Sequence, residues 1–152
     1  MISQETMPPR ACQSPVTSSG HRSREISVIA PRAGWSVPVI RHQVGDLLRQ
    51  WQFHDIATDA ELMTSELAAN AVQHATGPSF AVSISASAGL LVVEVFDADP
   101  RLPSLREPDP DAERGRGLAT LAALAKDWGA VSTPPGKCVW FTLPLPRARR
   151  DR

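Results

Sequence analysis

A β-hairpin between residues 80 and 96 places the strongest constraint on the fold of this chain. Phe80, Val82 and Ile84 alternate with smaller residues, which is the pattern of a strand with one apolar face. A second apolar segment, Leu90–Phe96, follows after only Ala88 and Gly89, so the two strands are predicted to pair through a tight turn. An apolar sheet face has to be covered by another layer, and the rest of the chain must supply that layer.

Two helices are predicted before the hairpin. From Val37 to Trp51, apolar residues recur at helical spacing with polar and charged residues between them, and Ser36 is placed to cap this helix. Thr58 lies three residues before Glu61, which is the spacing of a capping box. The second helix is therefore predicted to begin there and to run to about Ala75.

Three further strands and one more helix complete the predicted order. Ile26–Ala30 alternates like a strand, and Leu118–Trp128 is predicted to be helical with Gly129 as its C-terminal cap. Val131 and Val139–Leu145 supply the last two strands. The sequence therefore predicts an α+β domain without internal repeats.

The chain is predicted to form a single domain between two polar ends. Its 152 residues suffice for one core, and not for two ordinary domains. Residues 1–24 are rich in Ser, Pro, Gln and Arg and poor in aliphatic side chains, so we expect a disordered leader. The domain is predicted to span residues 25–146, and the Arg-rich residues 147–152 are predicted to form a solvated basic tail.

Charge and cysteine content argue against several classes of protein. The 16 basic residues balance the 16 acidic ones, so no overall field attracts nucleic acid or an anionic membrane. No apolar run approaches the roughly 20 residues of a membrane span, and the expected location is the cytoplasm. Cys12 and Cys138 form neither a CxxC pair nor a ligand set with a nearby His, so neither a disulfide nor a zinc site is expected.

The second predicted helix carries a row of polar side chains. Glu66, Asn70 and His74 are spaced at i, i+4 and i+8 and therefore project from one helical face. An amide oxygen can bind Mg²⁺, while a carboxylate one turn away can accept a proton or orient a nucleophile. Taken alone, Glu and Asn at this spacing more often form an ordinary surface stripe, and a lone His near a helix end more often faces solvent.

Asp97 ends the second strand of the hairpin and opens a long polar loop. A carboxylate at this position can accept a hydrogen bond from an amine, although an Asp after a strand is commonly a turn former. The loop from Asp97 to Arg116 contains four prolines and many charges. Because a loop of that length in a compact domain is usually functional or mobile, we expect it to act as a lid.

Two glycines, Gly115 and Gly117, precede the third predicted helix. The free N–H groups and the positive dipole end of a helix can hold an anion, and phosphate is the natural candidate. Glycine pairs also serve plain tight turns, so this motif alone is a weak indication. Gly136-Lys137 does not belong to a Walker phosphate loop, because position 131 would have to be Gly and position 138 Ser or Thr.

Taken together and in this order, the three elements resemble the GHKL ATPases, which include gyrase, histidine kinases and MutL. The nearest look-alikes are the small bacterial anti-sigma regulatory factors. The resemblance covers about Ile26 to Pro146 and rests on Ser65–Ala71 as the N-box, on Asp97 as the acid of the first glycine box and on Gly115–Leu118 as the second glycine box. It implies a Bergerat fold, a two-layer α/β sandwich whose mixed, mainly antiparallel sheet carries helices on one face. ATP and Mg²⁺ are the implied cofactors.

The resemblance also gives each candidate residue an expected role. Glu66 is the expected base and Asn70 the expected magnesium ligand, while His74 closes the N-box. Asp97 is expected to accept a hydrogen bond from the adenine amino group. The phosphates are expected beside the second glycine box and its flanking arginines, which comprise Arg114, Gly115, Arg116, Gly117 and Leu118.

The first glycine box departs from the family pattern. It usually reads Asp-x-Gly-x-Gly, whereas this chain has Asp97-Ala98-Asp99-Pro100-Arg101 and lacks both glycines. The backbone there cannot approach a nucleotide in the family's usual manner. We therefore expect adenine binding to be weaker or differently shaped.

The resemblance implies the function of a serine/threonine protein kinase of the anti-sigma type. Its partner would be an anti-anti-sigma factor, a sigma factor or both, and the resemblance admits a homodimer. Two alternatives stay open. One is a non-catalytic module in which nucleotide sets the conformation that a partner protein reads, and the other is a folded scaffold that has lost nucleotide.

Overall fold

The computed structural model describes residues 24–101 and 117–146, which form three helices and five strands. In chain order these are β1 (Arg24–Pro31), α1 (Ser36–Gln50), α2 (His54–His74), β2 (Ser79–Ser87), β3 (Leu90–Asp97), α3 (Gly117–Leu124), β4 (Asp127–Thr133) and β5 (Gly136–Pro144). The order confirms the predicted α+β fold class.

The five strands form one sheet in the order β1-β2-β3-β5-β4. Every neighbouring pair is antiparallel, so the described strands include no parallel pair. The β2–β3 pair is the predicted hairpin, and Ala88 and Gly89 in its turn have φ angles of 49° and 76°. Two positive φ angles match the twist of a two-residue hairpin turn, and glycine adopts such an angle without strain.

One face of the sheet forms the hydrophobic core together with the helices, and we call it the helix-covered face. Its buried side chains alternate along β2, β3 and β5 and include Val82, Ile84, Leu91, Val93, Val95, Val139, Phe141 and Leu143. Helix α2 contacts β3 and β5, α1 contacts β1, and α3 contacts β4. The helices therefore make the second layer of the predicted two-layer sandwich.

The two long helices also pack against each other. Arg49 of α1 forms an ion pair with Glu61 of α2 at 2.8 Å. Gly45 makes this approach possible, because a Cβ at that position would collide with the Glu61 carboxylate. Within the described ranges, no helix combines the length and the apolar character that crossing a membrane requires.

The start of α1 differs from the predicted cap. Trp35 occupies the N-cap position without a side-chain hydrogen bond, and Ser36 is the first helical residue. The buried Ser36 hydroxyl donates to the carbonyl oxygen of Pro31 at 2.7 Å. The predicted cap was wrong because this hydroxyl holds the turn between β1 and α1.

The start of α2 also differs from the prediction. The helix begins at His54, so the predicted capping box at Thr58 and Glu61 is wrong. Ala57 and Ala60 are already fully buried, which means that the apolar face of the helix begins before Thr58. Burial of that face stabilises the earlier turn, and tertiary packing therefore outweighs the local polar signal.

Helix α3 ends at Leu124, four residues before its predicted end at Trp128. Trp128 and Gly129 belong instead to β4, and every residue of β4 pairs with a residue of β5. This pairing outweighs the helical preference of the preceding apolar run. Gly129 does not cap a helix; it lies beside Trp140, where a Cβ would come within 2.8 Å of the indole ring.

Several sequence-based predictions concern residues outside the described ranges. They are the leader up to residue 23, the tail at 147–152 and the part of the predicted lid between residues 102 and 116. Arg114, Gly115 and Arg116 fall in this last segment. These assignments remain predictions.

Candidate functional site

The polar face of α2 lies at the border between core and solvent. Glu66 and Asn70 are half-buried, whereas His74, the last residue of the helix, is exposed. Leu67 and Ala71, their neighbours along the helix, are buried in the core. Glu66 and Asn70 are therefore half-buried side chains on a helix that packs on β3 and β5.

Glu66 and Asn70 keep their polar atoms available. Among the described residues, neither side chain makes a hydrogen bond or an ion pair. The described part of the chain also contains no group of three or more His, Cys, Asp or Glu side chains that could hold a metal ion.

Asp97 ends β3 on the helix-covered face. It follows Val93 and Val95 at alternate positions of the strand, and Lys137 of β5 lies directly opposite in the register. Lys137 Nζ is 3.0 Å from Asp97 Oδ1, and the two side chains are only 7% and 3% exposed. The carboxylate that was predicted to meet the adenine amino group therefore has a buried counter-charge.

The segment that stands in place of the first glycine box is ordered by its own carboxylates. The Asp99 N–H donates to Asp97 Oδ1 at 2.9 Å, and the Arg101 N–H donates to Asp99 Oδ1 at 3.0 Å. Each contact is an Asx turn, in which a carboxylate accepts from the N–H two residues further on. Lys137 Nζ also lies 3.4 Å from the Asp99 carbonyl oxygen. Side chains thus hold the turn in a segment that contains no glycine.

Asp99 is held in its ionised form by Arg101. The Arg101 guanidinium donates to both Asp99 carboxylate oxygens, from Nε at 3.0 Å and from Nη2 at 3.2 Å. This hydrogen bonding, helped by the Arg101 N–H and by the nearby charge of Lys137, lowers the pKa of Asp99 from 3.8 to about 2. The negative charges of Asp97 and Asp99 are therefore matched by the positive charges of Lys137 and Arg101 at this end of the sheet.

A pH titration tests this electrostatic arrangement. Because the pKa of Asp99 is lowered on folding, the stabilisation from its carboxylate is present above pH 3.8 and is lost as the pH falls to about 2. We expect the Asp99 carboxyl carbon to report an ionised group at about pH 3 in NMR spectra, where an ordinary Asp is mostly protonated. In the Arg101→Ala variant the midpoint should move back toward the ordinary value. A wild-type midpoint already at the ordinary value would contradict the ion pair.

The start of β5 lies against the backbone at the end of β3. A Cβ at Gly136 would collide with the Asp97 carbonyl oxygen, so glycine allows the two strand ends to approach. An open cavity of about 300 Å³ lies beside them. It is lined by Ser79, Phe80, Ala81, Phe96, Asp97, Ala98, Thr133, Pro135 and Gly136. Asp97 thus borders the cavity, whereas Glu66, Asn70 and His74 do not.

The second glycine box reaches the described part of the chain at the start of α3. Gly117 is the first residue of this helix and Leu118 the second. Because α3 contacts α2 and β4, its start belongs to the helical layer. Arg114, Gly115 and Arg116 lie between residues 102 and 116, which the structure does not describe. Their place beside the phosphates therefore stays a prediction.

The sequence did not identify Lys137 as a site residue, because this lysine was considered only in relation to a Walker phosphate loop. Its position in the alternating pattern of β5 is the feature that could have identified it. Lys137 precedes Val139 and Phe141 at alternate positions, in line with side chains that form the core. A lysine is almost never buried without a partner, so a lysine in this line predicts a buried acidic partner.

Residues 30–143 match the family model of the histidine kinase-like ATPase domain. The chain belongs to this family. Among solved structures it is similar to the RsbU and RsbW domains of Rv1364c from Mycobacterium tuberculosis, with a TM-score of 0.63 and 22% sequence identity. That match covers 80% of this chain and 32% of the other, so this chain spans about a third of the length of that protein. No curated protein sequence matches the chain.

Proposed function

We propose that this domain binds ATP between α2 and the Asp97 end of the sheet and transfers the γ-phosphate to a serine or threonine of a partner protein. The proposal rests on one arrangement in a chain that belongs to the histidine kinase-like ATPase domains. Glu66 and Asn70 present available polar atoms on a helix that packs on β3 and β5, and β3 ends in the buried carboxylate of Asp97.

Each residue has a role that its chemistry permits. When bound, ATP would supply the phosphoryl group, and Mg²⁺ would offset the negative charge of the phosphates during the transfer. Asn70 would hold the metal ion through its amide oxygen, and Asp97 would accept a hydrogen bond from the base. Glu66 accepts the proton of the attacking hydroxyl as the new oxygen–phosphorus bond forms and ADP leaves.

The proposed partner is another regulatory protein. The structural neighbour carries an RsbW domain in one chain with an RsbU domain, and its fold is shared by this chain. We therefore propose an anti-anti-sigma factor, a sigma factor or both as partners of this domain, acting in the cytoplasm. A homodimer is compatible with this role.

A second candidate function is a non-catalytic module whose partner reads a nucleotide-gated conformation. The observation that favours it is the glycine-free segment from Asp97 to Arg101, which is held by Lys137 and by two Asx turns. This segment departs from the glycine pattern of the family's nucleotide site, which supports a module that binds nucleotide without transferring phosphate. Phosphate transfer to a partner separates the two functions.

Calorimetry with purified protein tests the binding step. We expect ATP to bind with modest affinity in the presence of Mg²⁺, because Asn70 supplies a metal ligand while the first glycine box is incomplete. Asn70→Ala should lose the magnesium-dependent part of this affinity. Gln73→Ala, which removes an exposed amide from the same helix, is the matched control and should bind like wild type. No heat at millimolar nucleotide, with or without magnesium, would overturn the proposed pocket.

A further inference from the structure

We propose that Lys137 is a second base-reading residue, which donates a hydrogen bond to N1 of adenine while Asp97 accepts one from the 6-amino group. The inference rests on the proposed function, since it concerns the base end of the same ATP site. It assigns a role in specificity to a lysine that no motif points to.

The first observation is that Asp97 has one carboxylate oxygen left for a ligand. Oδ1 accepts from Lys137 Nζ at 3.0 Å and from the Asp99 N–H at 2.9 Å. Oδ2 accepts from no group in the described part of the chain. A carboxylate offers acceptor sites on both oxygens, so Oδ2 can receive a ligand amine without breaking the contacts of Oδ1.

The second observation is that Lys137 has a donor left beside that oxygen. Its ammonium group carries three N–H bonds. One is directed to Asp97 Oδ1 and one to the carbonyl oxygen of Asp99. Asp99 Oδ2, at 3.9 Å, is too far for a hydrogen bond. One acceptor oxygen of Asp97 and one N–H of Lys137 therefore have no partner among the described residues, and both belong to the same ion pair on the helix-covered face.

This pair matches one edge of adenine. Adenine presents its 6-amino donor next to the N1 acceptor. Guanine, placed in the same orientation, presents O6 as an acceptor and N1–H as a donor, so both contacts would become repulsive. Because the two side chains are 3% and 7% exposed, a mismatched base would leave buried polar groups without partners.

The competing explanation is that Lys137 only neutralises Asp97 and Asp99. Such a counter-charge would still matter for ATP affinity, because it would hold the Asp97 carboxylate in place. It would, however, be indifferent to the atom at position 1 of the purine. The two explanations therefore differ in a measurement that changes only that atom.

Calorimetry with three nucleotides makes this measurement on the wild-type protein with Mg²⁺. ATP is compared with 1-deaza-ATP, in which C–H replaces N1, and with 7-deaza-ATP, in which the same change lies away from this edge. We expect 1-deaza-ATP to bind roughly 10-fold or more weakly than ATP, the usual effect of losing a charge-assisted hydrogen bond. We expect 7-deaza-ATP to bind within about threefold of ATP.

The Lys137→Met variant completes the test. In this variant ATP and 1-deaza-ATP are expected to bind equally, because the donor to N1 is gone. Equal binding of ATP and 1-deaza-ATP by the wild type would overturn the inference and leave the ATP site standing. A preference for ATP over 1-deaza-ATP that persists in Lys137→Met would also overturn it, since another group would then contact N1. If the wild type binds none of the three nucleotides, the proposed function itself fails.

Discussion

Replacing Glu66 with Gln is expected to leave ATP binding intact and to lower phosphate transfer to a partner protein by roughly 100-fold or more. The substitution keeps the size of the side chain and removes its capacity to accept a proton. Because the Glu66 carboxylate makes no hydrogen bond or ion pair with another described residue, its loss should not disturb the fold. The measurement is transfer of labelled γ-phosphate to a partner that has been isolated by its binding to this domain with Mg-ATP.

The matched control for Glu66→Gln is Asp59→Asn, which neutralises an exposed carboxylate on the same helix. This control should transfer phosphate at the wild-type rate. Equal rates for wild type and Glu66→Gln would show that Glu66 is not the base. If neither protein modifies a partner although both bind ATP, the nucleotide-gated module becomes the better account of the function.

The parts of the fold that the sequence predicted correctly are those that local periodicity determines. The alternation along β2 and β3 and the short Ala88-Gly89 connection identified the hairpin, because both the strand pattern and the turn geometry lie within one short segment. The apolar spacing of α1 identified that helix for the same reason. Once a sheet with one apolar face and two long helices are present, a two-layer arrangement follows.

The errors occur where distant parts of the chain compete with local signals. Thr58 resembles a helix start, but the buried Ala57 and Ala60 extend α2 to an earlier residue. Trp128 continues an apolar helical run, but pairing with β5 places it in a strand. Neither the depth of burial nor the partner strand can be read from the local segment, so these boundaries were not predictable from it.

The candidate site likewise contains one part that the sequence could predict and one part that it could not. Glu66, Asn70 and His74 could be placed on one face because helical geometry alone relates them. The contact between Asp97 and Lys137 joins residues that are 40 positions apart and depends on the register between β3 and β5. That register is a property of the folded sheet, and the alternation of β5 could predict only that Lys137 needs a buried partner.

Replacing Lys137 with Met is expected to lower the free energy of unfolding by about 3–5 kcal/mol. Met keeps most of the apolar length of the lysine side chain, so the main change is the loss of the ammonium charge. Asp97 and Asp99 are buried beside it with side chains 3% and 6% exposed, and they would lose a cation that each of them faces. Removing one partner of a buried ion pair lowers the free energy of unfolding by more than the intact pair contributes to it, because the remaining charge stays desolvated.

Equilibrium unfolding in urea measures this effect, and the chain supplies a matched control. Lys126 is exposed and makes no ion pair with a described residue, so Lys126→Met should change the free energy of unfolding by no more than about 0.5 kcal/mol. The double variant Lys137→Met with Asp97→Asn should recover part of the loss, because it removes one of the two carboxylates left without the lysine. If Lys137→Met costs no more than Lys126→Met, the ion pair at the end of β3 and β5 does not stabilise the fold, and the counter-charge assigned to Asp97 is wrong.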